Sequence, residues 1–290
     1  EDIFFKEDIR RVFPDEVGEI TYPVGAVEYY RDGALKFIDR RILEDAKLEV
    51  VLDCANGSSS VIAPSLLEML GCRVTSLNAR MDEQLGPTSF EGMPKTLSRI
   101  ASVVRAVGAD VGIAIDGHGD RILLVDERGN TISGETALAL FAKSILEKAK
   151  GGKIVIPVTA SRIVDDVAKT QGGEVCRTKV GAYPLLDSIL REQAVFGGEE
   201  GGGLVFPGFM LGYDGIISAA KLLETLATSE ADLSELVGQL PSFFMTQEKV
   251  QCPWEFRGKI MRDLLEEVRD RHVDTMDGIK IFYDSSWILL

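Results

Sequence analysis

The sequence has no apolar run approaching the ~20 residues that a membrane-spanning helix needs, so no membrane role is expected. No signal peptide is expected from the residues given. The chain opens Glu1-Asp2-Ile3-Phe4-Phe5-Lys6, without a basic start and a small-residue cleavage site. It also lacks an initiator Met, which reads as a piece of a longer protein. Cysteine is scarce. Cys54, Cys72, Cys176 and Cys252 are far apart and form no CxxC pair, so neither a disulfide frame nor a zinc site is indicated. They read as reduced core thiols of a cytoplasmic protein. Basic residues are outnumbered: 32 Lys and Arg against 46 Asp and Glu leave a net charge of −14. An acidic surface without a Lys/Arg cluster repels nucleic-acid phosphate and excludes nucleic acid as a partner. A small anion stays open, because one basic pocket is enough to hold it. Only two histidines are present, His118 in a glycine-rich loop and His272 near the end of a charged helix. No Ser–His–Asp set can be drawn from them.

What is present is an ordinary globular chain. Its 290 residues suggest about two domains, and 45% hydrophobic with 27% charged residues is a soluble balance. Residues 1–47 are helical in texture. The apolar positions Ile3, Phe4, Phe5, Ile9, Val12 and Phe13 give a helix face that Pro14 ends, and a second helix is predicted from Val27 to about Leu43. From residue 48 the pattern becomes strand, turn, helix, strand. The runs 48–53, 72–77, 111–115 and 122–125 read as buried strands, with helices at 61–70 and 94–107 between them. A second copy follows: Lys153-Ile154-Val155-Ile156, the turn Thr159-Ala160-Ser161, a helix, and Gly172-Gly173-Glu174-Val175. This weak repeat predicts two similar three-layer α/β/α domains with mostly parallel sheets, at 48–150 and 151–290.

Three places can carry chemistry. Asp116-Gly117-His118-Gly119-Asp120-Arg121 follows a buried strand, at the sheet edge where α/β proteins bind ligands. Glycines let Asp116, His118 and Asp120 converge on one cation, although a polar tight turn has the same composition. Gly197-Gly198-Glu199-Glu200-Gly201-Gly202-Gly203 allows close backbone approach, with glutamates that suit sugar hydroxyls; a mobile surface turn looks the same. Arg177-Thr178-Lys179-Val180-Gly181 stands before a helix, where backbone N–H groups suit a phosphate; a solvated strand end is the alternative.

In this order the loops resemble the α-D-phosphohexomutases. Residues 116–121 read DGHGDR where that family reads Asp-Gly-Asp-(Gly/Ala)-Asp-Arg, and 198–203 read GEEGGG where it reads Gly-Glu-x-Ser-Gly-His. Thr178-Lys179-Val180-Gly181 matches its Thr-x-Val-Gly turn, and Asp277-Gly278-Ile279-Lys280 before Trp287 matches a later strand. The resemblance implies four domains in the complete protein: here the end of domain 1 (1–47), domains 2 and 3, and a stop before domain 4. It implies phosphoryl transfer between C1 and C6 of a hexose phosphate through a phosphoserine on domain 1. It also implies Mg²⁺ at Asp116, His118 and Asp120, and substrate contacts from Arg121, Thr178, Lys179, Gly198, Glu199 and Glu200.

Departures limit the match. The phosphoserine loop is absent; Thr159-Ala160-Ser161 imitates it, but Arg162-Ile163 follows and Ser161 is rejected as nucleophile. No catalytic residue is therefore expected in this chain, which alone should be inactive. His118 replaces an aspartate, so Mg²⁺ should be weakened or replaced by a softer divalent ion. The segments FFKEDIRRVFPDEVGEI, VEYY, LDCANGSSS and CPWEFRG look like the mutase-like half of mannose-1-phosphate guanylyltransferase fusion proteins. That likeness implies an alternative, a non-catalytic sugar-phosphate-binding or assembly module.

Overall fold

The computed structural model describes residues 2–81, 93–284 and 286–290. The predicted first helix is mostly not there. Only Asp2–Phe5 (α1) is helical, and a short 3₁₀ turn occupies Pro14–Glu16. Ile3, Phe4, Phe5, Ile9 and Phe13 are all exposed, so no packing supports a short helix that is marginal on its own. The second predicted helix is two: α2 (Ala26–Phe37) and α3 (Arg40–Ala46). Ile38 is extended, and Asp39 caps α3 by accepting the Arg41 N–H at 3.2 Å.

The alternation then runs β1 (Glu49–Asp53), α4 (Ala63–Met69), β2 (Arg73–Leu77), α5 (Met93–Val107), β3 (Val111–Ile115), β4 (Ile122–Asp126), β5 (Thr131–Ile132) and α6 (Gly134–Ala149). It repeats as β6 (Gly152–Pro157), α7 (Ile163–Thr170), β7 (Gly173–Thr178), α8 (Ala182–Glu192), β8 (Phe196–Gly198), β9 (Leu204–Val205) and α9 (Gly215–Ser229). After α10 (Leu233–Gly238) come α11 (Trp254–Glu267), β10 (Val273–Asp274), β11 (Lys280–Tyr283) and β12 (Ser286–Leu289).

The first sheet has the order β2-β1-β3-β4-β5 and the second β7-β6-β8-β9. In each, three parallel strands are followed by an antiparallel hairpin strand. The repeat read from the sequence is thus a repeat of topology, in a mixed α/β fold rich in parallel pairs.

The helices that close the repeats cross over. Helix α6, placed by the sequence in the 48–150 unit, packs on α7, β6 and β8 of the second sheet. Helix α9 packs on α3, β3 and β4 of the first. Phe141 of α6 stacks on Phe196 of β8 with ring centroids 6.5 Å apart. Ile217 and Leu223 of α9 are fully buried, each stabilising by about 1.5–3 kcal/mol. The result is one apolar cluster containing Leu52 and Ile113 from one sheet and Ile154 and Phe196 from the other. Strands β10–β12 form a third, antiparallel sheet over a small core of Val268, Ile279 and Ile281. No helix among the described residues is long and apolar enough to cross a membrane.

Candidate functional site

The loop 116–121 joins β3 to β4, and the loop 199–203 joins β8 to β9; they are the equivalent hairpins of the two repeats. The fold brings them together. The Ile122 N–H donates to Gly202 O at 3.1 Å, and Gly215 N–H donates to Gly119 O at 2.9 Å. The Arg121 Nη2 group reaches Glu199 Oε1 at 3.0 Å, with Glu199 largely shielded from solvent. A charged hydrogen bond with one partner shielded holds the two loops in register.

Asp116 shapes the first loop. One carboxylate oxygen, Oδ1, accepts the N–H groups of Gly119, Asp120 and Arg121 at 3.0, 3.1 and 3.2 Å. Gly119 sits at φ +85°, the left-handed conformation that favours glycine. The Ser58 hydroxyl, in the 3₁₀ turn that follows β1, donates to His118 O at 2.8 Å and fixes the far side of the loop. The other Asp116 oxygen faces His118 Nδ1 at 3.3 Å. Ligand atoms of Asp116, His118 and Asp120 all lie within 4.8 Å of one another. Asp120 Oδ1 is buried without a hydrogen-bond partner. Burial and then the neighbouring Asp116 push the Asp120 carboxyl above its usual range. A cation there would reverse that shift and satisfy the orphaned oxygen. The donor set fits a divalent ion. His118 is otherwise 86% exposed.

Of the predicted substrate residues, Arg121, Gly198, Glu199 and Glu200 lie at this junction. Thr178 is buried at the end of β7, and Lys179 is exposed beside it. The phosphate reading of that turn meets an obstacle. The Val180 N–H donates to Asp277 Oδ2 at 2.8 Å, so a carboxylate takes one of the N–H groups expected for phosphate. Arg177 turns inward, donating from Nη1 to Ala160 O at 2.6 Å and from Nη2 to Asp165. Ser161 is buried, and its Oγ accepts the Ile163 N–H at 3.3 Å.

Two residues were missed by the sequence reading. Tyr213 fills the room beside Gly203: a Cβ there would meet its ring at 3.0 Å. Burial and then Glu199 raise the Tyr213 phenol pKa. The second is Glu135, at the start of α6, whose Oε2 accepts the Ser161 N–H at 3.0 Å. Nothing local marks either residue; a Glu in a first helical turn reads as an ordinary helix-dipole partner.

The chain is similar to proteins named phosphoglucomutase/phosphomannomutase and phosphoglucosamine mutase. The chain is 35% identical to a phosphoglucomutase/phosphomannomutase of Thermococcus kodakarensis, over 100% of this chain and 64% of that protein. It is 33% identical to a phosphoglucosamine mutase of Methanocaldococcus jannaschii, over 100% of this chain and 65% of that protein. It thus spans under two thirds of the length of these relatives. A phosphoglucomutase/phosphomannomutase family protein from Burkholderia thailandensis superposes with a TM-score of 0.70 at 28% identity, covering 88% of this chain and 56% of that one. An Aspergillus fumigatus N-acetylphosphoglucosamine mutase, solved with GlcNAc-6P and magnesium, shares the fold at 16% identity and a TM-score of 0.55, covering 92% and 62%. The profile of phosphoglucomutase/phosphomannomutase α/β/α domain II matches residues 28–129, and that of α/β/α domain III matches 133–244. The chain belongs to the phosphoglucomutase/phosphomannomutase family, as its domains II and III.

Proposed function

We propose that this chain supplies the cation loop and the sugar loop of a phosphohexomutase, the complete protein moving phosphate between C1 and C6 of a hexose phosphate. The observation that carries the reading is the junction of two repeat-equivalent hairpins, tied by Arg121 and Glu199. Glu199 would orient sugar hydroxyls and so select which end of the sugar faces the phosphoserine of another domain. Asp116, His118 and Asp120 would hold the divalent cation. Mg²⁺ follows from the family, and the imidazole in the set favours a softer ion such as Mn²⁺ or Zn²⁺. When bound, the ion supplies positive charge for the transferring phosphoryl oxygens. The chain's own part is to position the sugar through Glu199, which Arg121 holds in place. We place the domain division between β5 and α6, because α6 packs on the second sheet.

The second reading is a sugar-phosphate-binding module without catalysis, favoured by His118, Gly201 and Gly203 standing where the family motifs have Asp, Ser and His. Attachment to a guanylyltransferase finds no support in the relatives named above, which are mutases. The test is turnover of glucose 1-phosphate, mannose 1-phosphate and glucosamine 1-phosphate by the full-length protein, each with its bisphosphate activator. Turnover of any one supports the mutase. Binding without turnover supports the module, and neither binding nor turnover refutes both.

A further inference from the structure

Glu135 is 8% exposed, and only one of its carboxyl oxygens has a partner. Oxygen Oε2 takes the Ser161 N–H, in the turn after β6, while Oε1 is buried with none. Buried polar atoms are nearly always satisfied, so an orphan beside a ligand loop asks for an explanation. Two neighbours share the feature. Thr159 Oγ1 in the same turn and Glu200 Oε2 on the sugar loop are buried without partners as well. The Glu135 side chain ties the turn after β6 to the start of α6, and that start meets the sugar loop at close quarters. A Cβ placed on Gly134 would lie 1.7 Å from Glu200 O, so the start of α6 presses directly on the main chain of the sugar loop.

We propose that Glu135 is a positioning residue of the sugar site. Its carboxyl group fixes the turn after β6 through Ser161. Through the Gly134–Glu200 contact it sets the seat of the loop 199–203, and the loop's hold on a hexose phosphate follows its protonation. As a neutral acid, Glu135 gains a donor at the orphaned oxygen and imposes no charge on Glu200. As a carboxylate it sets a second buried negative charge beside Glu200 on the loop. The charged groups facing it are Glu200, Arg177 of β7 and Lys280 of β11. Burial, ahead of these, pushes its carboxyl up to about 7, so the change of state falls in the physiological range.

The inference takes its ligand from the mutase reading, and the experiment separates the two. Hydrogen exchange of the amides of 199–203, corrected for intrinsic rates, is followed in the full-length protein from about pH 6 to about pH 8, bracketing that value of about 7. Wild type is expected to lose protection about tenfold as pH rises, one unit of coupling being tenfold. Glu135→Gln, which keeps an acceptor for Ser161 and cannot ionise, is expected to hold the low-pH protection throughout. Affinity for glucose 1-phosphate should fall over the same range in wild type and stay flat in the variant. A flat wild-type exchange profile, or the same pH response in Glu135→Gln, overturns the inference. If the exchange result is as expected but no hexose phosphate binds at any pH, the positioning role stands and the mutase reading falls.

Discussion

His118 is the residue on which the metal chemistry turns. Replacing a carboxylate by an imidazole removes one negative charge next to a divalent ion, worth a few kcal/mol near a protein surface. Titration calorimetry should therefore show weak Mg²⁺ binding in wild type and at least about tenfold tighter binding in His118→Asp, since ~1.4 kcal/mol is tenfold. Equal and tight binding in both would show that the histidine does not weaken the site. Glu135 gives a second expectation, with its sign fixed by linkage. Its carboxyl is raised by burial from 4.5 to about 7 in the folded protein. The folded state then holds the extra proton between those values, so stability is fullest below about 4.5 and falls as pH rises through about 7. Glu135→Gln should flatten that slope in denaturant melts; an unchanged slope would place the titration elsewhere. Lys280 has the opposite sign. Burial lowers it to about 8, so its contribution is lost as pH falls through that value. At this scale the sequence was legible where the chemistry is local. Asp116, His118 and Asp120 sit four residues apart or fewer and were readable as a cluster. Glu135 was not, because its partner Ser161 and its neighbour Glu200 are brought to it by the fold.

The hairpin and the helix start are the elements that decide the site's shape. Gly134 is required where α6 meets the sugar loop, since a Cβ there would meet Glu200 O at 1.7 Å. Gly134→Ala should destabilise by about 1–3 kcal/mol, the usual cost of overpacking, and should raise exchange in 199–203. A neutral melt would show that α6 can step back from the loop. Strands and helices from 48 onward were mostly legible from apolar runs and glycine stops. Gly71, at φ +102°, marks the end of the helix expected to stop there. Failures have physical causes. The helix predicted over 3–13 has its apolar face in solvent, and the helix predicted over 27–43 yields at Asp39 to a capping carboxylate. The turn after β7 is a separate case: beside its phosphate reading, Asp277, far along the chain, accepts the Val180 N–H.

Across the whole molecule, the two repeats are not independent. Tyr30 of α2 donates to both oxygens of Asp214 at 2.9 and 2.8 Å, and Asp214 caps α9 through Ile216 and Ile217. With α9, from the second repeat, packed on the first sheet while α6 packs on the second, the two sheets share a core. They should unfold in one cooperative transition, with calorimetric and van't Hoff enthalpies in agreement for 48–240. Two resolved transitions would mean that α9 couples the two sheets little. This crossing was not legible in the sequence, because periodicity gives a helix a buried face and not the sheet that buries it. The 290-residue chain alone is expected to turn over no hexose phosphate, as it carries no phosphoserine loop. Clear turnover in the presence of bisphosphate would reopen Ser161.

The joining of the two hairpins into one sugar site is tested most directly by calorimetric binding of glucose 1-phosphate to the full-length protein, with Glu199→Gln and Arg121→Met beside wild type. Removing either partner of this charged hydrogen bond should weaken binding by about tenfold or more, from ~1.5–3 kcal/mol per bond. Undiminished affinity in both variants, or no binding by wild type, would contradict the account.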